Sequence, residues 1–460
     1  MKEVVVIGGG PGGYSAALRA SQLGASVTLI EKSLLGGTCL NTGCIPTKSL
    51  LDSSYLWSKS NNLFQMHTNQ AVPWDHVMSR KQKAVTQLRR GVASLLKAGK
   101  IRVVEGIASL SGTNQIYVHG DNSQTLHADF IILATGSRPI LPPIEGIETE
   151  GVLTSNEILS LQKLPPSLSI IGGGVIGIEF ATIFAELGVK VHVIEAADRI
   201  LPNMDRAISE QLQAHLEKQG VHFSLENKVT AIGKSDKSEV QLTVNEGQML
   251  TSDLVLVAVG REAVIGGLQL EENGVMVENK KIKTNSYQQT SISSIYAVGD
   301  CSTSIMLAHV AMAESKVAIE HALEYETKPV IYDYIPQCVY THPEAAAVGL
   351  TKEEAVKRGF EVEEGVFPLQ ANGRALIEEE TVGFLKVIAD KEYGRILGVH
   401  LLMPHATEVI SQATLALQLE ATTEELLNMV YPHPSITEGI QEAVMDMTNS
   451  AIHLPSLEKV

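Results

Sequence analysis

The 460-residue chain carries 52 acidic against 36 basic residues, a formal net charge of −16, which excludes the basic electrostatic footprint of a nucleic-acid-binding protein. Hydrophobic residues at 44% and charged residues at 19% describe a globular protein, and the length predicts two to four domains. No apolar run reaches membrane-spanning length and the opening residues lack a signal-peptide pattern, so no membrane association and a cytoplasmic location are expected. The four cysteines suit a reducing compartment, where a persistent disulfide is more often catalytic than structural.

Residues 2–7, KEVVVI, read as a buried parallel strand. Gly8, Gly10 and Gly13 follow as GxGxxG, then a helix over about 14–24 and a second strand, ASVTLIE, ending at Glu31. Glycines in this order permit a tight turn and close approach of a pyrophosphate to a helix N-terminus. Glu31 stands 23 residues after Gly8, near the spacing of a carboxylate that binds ribose hydroxyls. Strand, glycines, helix, strand and acid in sequence predict a dinucleotide site.

Eight residues beyond Glu31 comes Cys39, and Cys44 follows with four residues between. Thiols this close can exchange electrons as a pair. A helix separates positions i and i+5 by about 7.5 Å along its axis, and a disulfide needs Cα atoms within roughly 7 Å. Pairing therefore requires a tightened turn, which Gly43 can supply. Lys48 lies one helical turn past Cys44, where it can lower a thiolate's pKa. The bland alternatives are a metal half-site or two packed cysteines. A structural zinc site needs four ligands, and no second cysteine pair exists, so no metal is expected.

A largely helical stretch spans about 51–97, with Trp57 and Trp74 as packing residues. Short strands lead to ATG, where Thr135 and Gly136 let chain and cofactor approach closely. Pro139, Pro142 and Pro143 mark a domain boundary. Residues 167–195 then repeat the first motif, with Gly172, Gly174 and Gly177, and with Glu195 again 23 residues after the first glycine. The repeat distance is 164 residues, and the chain is read as having two dinucleotide sites. The dithiol adjoins the first, so a flavin, which couples thiol to hydride chemistry, is expected there and a nicotinamide in the second. A carboxylate at Glu195 favours NAD over NADP because it repels a 2′-phosphate. Glu179, two residues after Gly177, is either a solvated first-turn acid or a partner for Lys48.

Gly260 and Arg261 close the second nucleotide fold. YAVGD ends in Gly299–Asp300 ahead of a helix, a placement that can aim the Asp300 carboxylate at a cofactor. Cys301 is expected to pack, and His309 is either a satisfied helix residue or a cofactor contact. After Pro336, strands are read in GRALIEEE, GFLKVIAD and RILGVHLL, followed by two helices, an α+β pattern. His433, between Pro432 and Pro434, has Glu438 five residues on. It is either a surface histidine or the base that dithiol chemistry needs.

GGGPGGYSAALRASQLG, GGTCLNTGCIPTKSLL, GGGVIGIEFA, YAVGD, YTHPEAAAVG and YPHPSITE together make the chain resemble the flavin-dependent pyridine nucleotide–disulfide oxidoreductases, and within them the dihydrolipoyl dehydrogenase branch, nearly end to end. The resemblance implies an α/β fold with two Rossmann-like dinucleotide-binding domains, for FAD and NAD, and a C-terminal α+β dimerisation domain. The expected divisions are 1–145 and 265–335 for FAD, 146–264 for NAD and 336–460 for the interface. It implies that Cys39 is the interchange thiol and Cys44 the flavin-side thiol, that Lys48 and Glu179 pair beside the flavin, and that Asp300 contacts the FAD ribityl chain. It further implies that His433 and Glu438 are base and orienting acid, completing the dithiol site of the other subunit of a homodimer. The implied reaction oxidises dihydrolipoyl groups with reduction of NAD, in partnership with a lipoyl domain of a 2-oxoacid dehydrogenase or glycine-cleavage system.

Some positions depart from the branch's pattern: Tyr431 where a histidine is common, Gly373 in place of a serine, and the stretch around Met403 without its glycine-rich wording. They bear on substrate more than on the dithiol chemistry. The nearest enzymatic alternative is a glutathione-reductase-like reductase of another disulfide, which Glu195 disfavours; the alternative outside catalysis is a flavin-bearing scaffold.

Overall fold

The computed structural model describes residues 1–64, 71–120, 123–245 and 247–455. The helical reading of 51–97 crosses 65–70, and the expected interface domain ends in 456–460; both short segments lie outside the described residues. Within the described chain, helices α1 (Pro11–Gln22), α2 (Gly37–Thr42), α3 (Cys44–Leu63) and α4 (Trp74–Ala98) occupy the N-terminal part. They accompany a parallel sheet whose centre is Glu3–Ile7, flanked by Ser26–Glu31 and Phe130–Leu133, with Arg102–Glu105 and Ile295–Ala297 at the edges. The central strand is buried on both faces, which is why VVVI is an unbroken β-branched run. A strand from residues 295–297 completes a sheet begun at residue 3, so the chain leaves this unit and returns to it.

The excursion builds a second sheet of the same design. Ser167–Ile171 lies between Lys190–Ile194 and Leu254–Val257, all parallel, with His222–Ser224 and Val152–Thr154 outside them. Helices α5 (Val175–Glu186) and α6 (Arg206–Lys218) accompany it. Two short antiparallel strands, Ser137–Pro139 and Arg261–Ala263, pair where the chain crosses out and back. Then comes α7 (Ala308–Ala322), which packs along α1.

After residue 336 a five-stranded antiparallel sheet forms, with Ile396–Met403 at its centre and helices α8 (Lys352–Lys357), α9 (Gly373–Glu378), α10 (Ala406–Gln418), α11 (Thr423–Asn428) and α12 (Glu438–Asp446). GRALIEEE is not a strand, as the sequence reading had it, but carries α9. The Asn372 side chain caps it by accepting the Ala375 N–H at 3.0 Å, and an i,i+4 Arg374–Glu378 ion pair spans it. Among the described residues three helices, not two, follow the last strand, because Thr422 forms a capping box with Glu425 and starts the short α11. Trp57 and Trp74 pack in the core beside α5, as expected. No described helix is long and apolar enough to cross a membrane.

Candidate active site

A cleft of about 2210 Å³ runs between the two parallel sheets and reaches the antiparallel domain. At its two glycine turns the backbone geometry repeats. Gly8 has φ +108°, and a Cβ there would lie 2.2 Å from the Ala134 carbonyl oxygen; Gly172 has φ +111°, with a Cβ 2.5 Å from the Ala258 oxygen. Gly13 and Gly177 do not line the cleft but let each helix press on its strand: a Cβ would meet the Gly8 and Gly172 oxygens at 1.7 and 2.0 Å. Gly10 and Gly174 are the N-caps of α1 and α5, and neither helix start has a side-chain cap. The first-turn N–H groups therefore face the cleft unclaimed by side chains, the arrangement that binds a pyrophosphate.

The acids at the strand ends are held alike. Glu31 accepts the Gly9 N–H at 2.6 Å and the Ser33 N–H at 2.8 Å. Glu195 accepts the Gly173 N–H at 2.5 Å and the Ala197 N–H at 2.7 Å. Each carboxylate is fixed at the cleft wall with lone pairs remaining for a ribose. Two cradles of this kind fit two dinucleotides.

Cys39 and Cys44 line the same cleft as the two cradles. The helix that would run through both is broken at Gly43 (φ −146°, ψ −117°), ending α2 and starting α3. A side chain at 43 would lie 2.9 Å from the Thr38 oxygen and 3.2 Å from the Cys39 Cα. Only glycine lets the two thiols meet, which is the tightened turn the spacing required. Both cysteines are free thiols here and hydrogen-bond to each other. The hydrogen bond from Cys39 and the Lys48 charge, against burial and Glu179, hold the Cys44 thiol down at about 7. The same hydrogen bond, with burial, pushes Cys39 well up. One thiolate, on Cys44, is thus shared by the pair.

Lys48 Nζ sits 2.8 and 2.7 Å from the two oxygens of Glu179 and 4.4 Å from the centre of the Tyr340 ring. Glu179 is 3% exposed, so the solvated-acid reading does not hold. Asp300 lines the cleft within a 3-10 turn, Gly299–Cys301, and α7 begins only at Ala308, later than the sequence suggested. Its carboxylate accepts the Ser137 hydroxyl, whose oxygen accepts Arg261 Nε–H at 2.8 Å. Thr135 and Gly136 line the cleft while binding residue 264: the Thr135 hydroxyl donates to the Val264 oxygen at 2.6 Å, and the Val264 N–H to the Gly136 oxygen at 2.9 Å. Gly260, with φ +123°, also lines the cleft and accepts the Ile140 N–H at 3.0 Å. His309 also lines the cleft, and its Nε2 bonds the Pro336 oxygen at 3.0 Å, so it is a satisfied residue beside the cavity.

His433 and Glu438 form the expected pair, Nδ1 to Oε2 at 2.9 Å, with the histidine 79% exposed. They do not line the cleft of their own chain. Cys301 packs fully buried, donating weakly to the Leu133 and Val298 oxygens. Sequence reading missed Ser137, Tyr340 and Cys338 at the cleft. Tyr340 opens the YTHPEAAAVG motif, but nothing in that motif gives it a place at the cleft, and no motif marks Ser137 or Cys338; burial pushes the Cys338 thiol up to about 12.

Residues 2–315 match the family described as pyridine nucleotide-disulphide oxidoreductase, and residues 335–444 match its dimerisation domain. The chain belongs to this family. Similar relatives include a dihydrolipoyl dehydrogenase of Bacillus subtilis, 42% identical over 98% of this chain and 99% of that protein, and a mitochondrial dihydrolipoyl dehydrogenase of Pisum sativum, 39% identical over 98% and 92%. Among solved structures, LpdA from Mycobacterium tuberculosis superposes with a TM-score of 0.91 at 26% identity, covering 96% of this chain and 99% of that one. As a pyridine nucleotide-disulphide oxidoreductase of this branch the chain uses FAD and NAD, and the paired glycine cradles fit both. The expected α/β architecture, two nucleotide-binding folds and a dimerisation domain, is the one found.

Proposed function

We propose that this protein oxidises protein-bound dihydrolipoyl groups to the lipoyl disulfide and reduces NAD to NADH, through the Cys39–Cys44 pair and FAD. The observation that carries the reading is a dithiol lining one cleft with two glycine cradles, its Cys44 thiol held down at about 7. The relatives named dihydrolipoyl dehydrogenase support the substrate class.

Gly8, Gly10, Glu31, Lys48, Thr135, Gly136 and Asp300 would hold FAD, with His309 lining the same cleft from its bond to the Pro336 oxygen and Gly13 packing α1 beneath the cradle. Gly172, Gly174, Glu195 and Gly260 would hold NAD, with Gly177 in the matching role. FAD, when bound, couples two-electron thiol oxidation to hydride transfer to NAD. In the oxidised enzyme a substrate thiolate attacks Cys39, breaking the Cys39–Cys44 bond and forming a mixed disulfide; the electron pair goes to Cys44 Sγ. The second substrate thiol displaces Cys39, leaving lipoyl disulfide and the reduced pair. His433 of the partner subunit takes the substrate proton at Nε2, while Glu438 holds Nδ1 and fixes the tautomer. The Lys48 ammonium keeps Cys44 ionised for electron return, and Glu179 holds Lys48 in place.

The matched dimerisation domain supports the homodimer on which this arrangement depends. The domain division 1–145, 146–264, 265–335 and 336–460 belongs to the same reading, supported by the return of Ile295–Ala297 to the first sheet. So do a lipoyl-domain partner and a cytoplasmic setting, the latter supported by the low cysteine content of the chain. The deciding experiment is anaerobic NAD reduction by dihydrolipoamide with the FAD-loaded dimer. Rapid NADH formation is expected; a loaded dimer that gives none would overturn the substrate assignment.

A further inference from the structure

Glu314, on α7, is fully buried and has no cation among its hydrogen-bond partners. One oxygen accepts the Gly299 N–H at 2.6 Å and the other the Tyr332 hydroxyl at 2.7 Å. The Tyr332 oxygen in turn accepts an amide N–H of Gln288, itself 2% exposed, at 3.1 Å. A carboxylate buried with neutral donors alone is costly, and Asp300, the residue after the one it grips, adds a second negative charge nearby. Packing alone does not require an acid here.

What the acid grips is a turn packed closely against α7. Gly299 has φ +72°, and a Cβ there would lie 2.9 Å from Ala311 Cβ, one helical turn before Glu314. The next residue, Ser315, donates its hydroxyl to the Gly12 oxygen at 2.6 Å, and a Cβ on Gly12 would touch Val298, Ala311 and Ser315. Adjacent side chains of one helix thus hold the turn that carries Asp300 and the first turn of α1, which carries the first glycine cradle. Asp300 is oriented from the other side by Ser137 and Arg261.

We propose that Glu314 is a positioning residue for FAD: by holding the Gly299 amide, with Tyr332 as its second support, it fixes the turn from which Asp300 meets the cofactor. This rests on the assignment of Asp300 to the FAD site. Glu314 touches no cofactor and acts through Gly299 and Asp300.

The test is FAD release from the holoenzyme dimer, followed by flavin fluorescence, with far-ultraviolet circular dichroism to establish folding. Loss of the buried hydrogen bond, which leaves the Gly299 N–H without its acceptor, predicts release about tenfold faster in Glu314→Ala. Glu314→Gln keeps an acceptor for the Gly299 N–H and is expected to stay within about threefold of wild type, a rescue that general loss of packing would not give. Asp300→Ala should also release FAD faster. The double variant should be no faster than the faster single one, since both act on one contact. If Asp300→Ala accelerates release and a folded Glu314→Ala does not, the Glu314 role is wrong while the site stands. If Asp300→Ala leaves release unchanged, the site assignment and the Glu314 role fall together. Should Glu314→Ala not fold, Tyr332→Phe decides: faster release supports the role, and an unchanged rate overturns it.

Discussion

Lys48 and Glu179 stand 131 residues apart in sequence and meet as a two-point ion pair, Nζ to Oε1 and Oε2 at 2.8 and 2.7 Å. Glu179 also accepts the Tyr340 N–H at 3.1 Å, so one buried carboxylate joins the dithiol helix, the second nucleotide fold and the antiparallel domain. Its charge acts on Cys44 in opposition to that of Lys48, and the lysine has the larger effect.

Replacing Lys48 by Met therefore raises the Cys44 pKa from its value of about 7. The sign follows from the charge: the ammonium stabilises the thiolate, so its loss favours the thiol. In wild type the reduced pair carries its thiolate above about pH 7 and loses it by protonation below, and turnover limited by electron return falls on that acid side. The ultraviolet thiolate absorbance of the dithiol form, titrated in both proteins, reads the shift directly. Coincident midpoints would remove Lys48 from this role.

Glu195 is expected to set the nucleotide preference. Glu195→Ser removes the acceptor for ribose hydroxyls and the repulsion of a 2′-phosphate, and also frees the Gly173 and Ala197 N–H groups. NAD-dependent kcat/KM should fall about tenfold, the size of one lost charged hydrogen bond, while that for NADP rises. An unchanged ratio of the two specificity constants would show that discrimination lies elsewhere.

His433→Ala should slow the dithiol half-reaction by about 10²- to 10⁴-fold, the usual contribution of a positioned base. Glu438→Gln should cost less, because it weakens orientation at Nδ1 without removing the base. Since neither residue lines its own chain's cleft, mixing His433→Ala subunits with Cys44→Ser subunits should restore activity in heterodimers, which carry one intact pairing of histidine and dithiol. Mixed dimers as inactive as their parents would place the base within one chain.

Stability depends on a second buried pair. Lys386 Nζ lies 2.9 and 3.0 Å from the two oxygens of Asp205, which also caps α6 through the Ala207 N–H. Burial pushes the Asp205 carboxyl up, but the Lys386 hydrogen bond with the nearby charges of His400 and Lys386 holds it below its usual value. The pair's contribution is thus present at neutral pH and is lost as pH falls through that depressed value. Lys386→Met leaves the carboxylate buried and uncompensated, at a cost of about 3–5 kcal/mol. The denaturant midpoint of the FAD-loaded protein at pH 7 should drop, and that deficit should narrow in acid; equal midpoints would refute it.

Much of this protein was decided locally and could be read from the chain alone. The two glycine motifs, their matching acids and the cysteine spacing all act through backbone geometry within about thirty residues. Gly8 and Gly172 are required by positive φ and by a neighbouring carbonyl, and Gly43 by the approach of Thr38 and Cys39. Such constraints leave a mark on residue type and order. Even there the reading failed for GRALIEEE, where one asparagine cap outweighed an apparent strand pattern in a segment too short for periodicity to decide.

What tertiary structure alone decided are the partnerships across the chain. Lys48 with Glu179, Asp300 with Ser137, Ser137 with Arg261, and Lys386 with Asp205 join segments more than a hundred residues apart, which only the folded chain brings together. A buried charge needs a partner or a set of donors, but its own sequence neighbourhood does not say which. Glu179 shows this most plainly: its position two residues after Gly177 suits a solvated helix-start acid, and only the folded chain buries it against Lys48 and Tyr340.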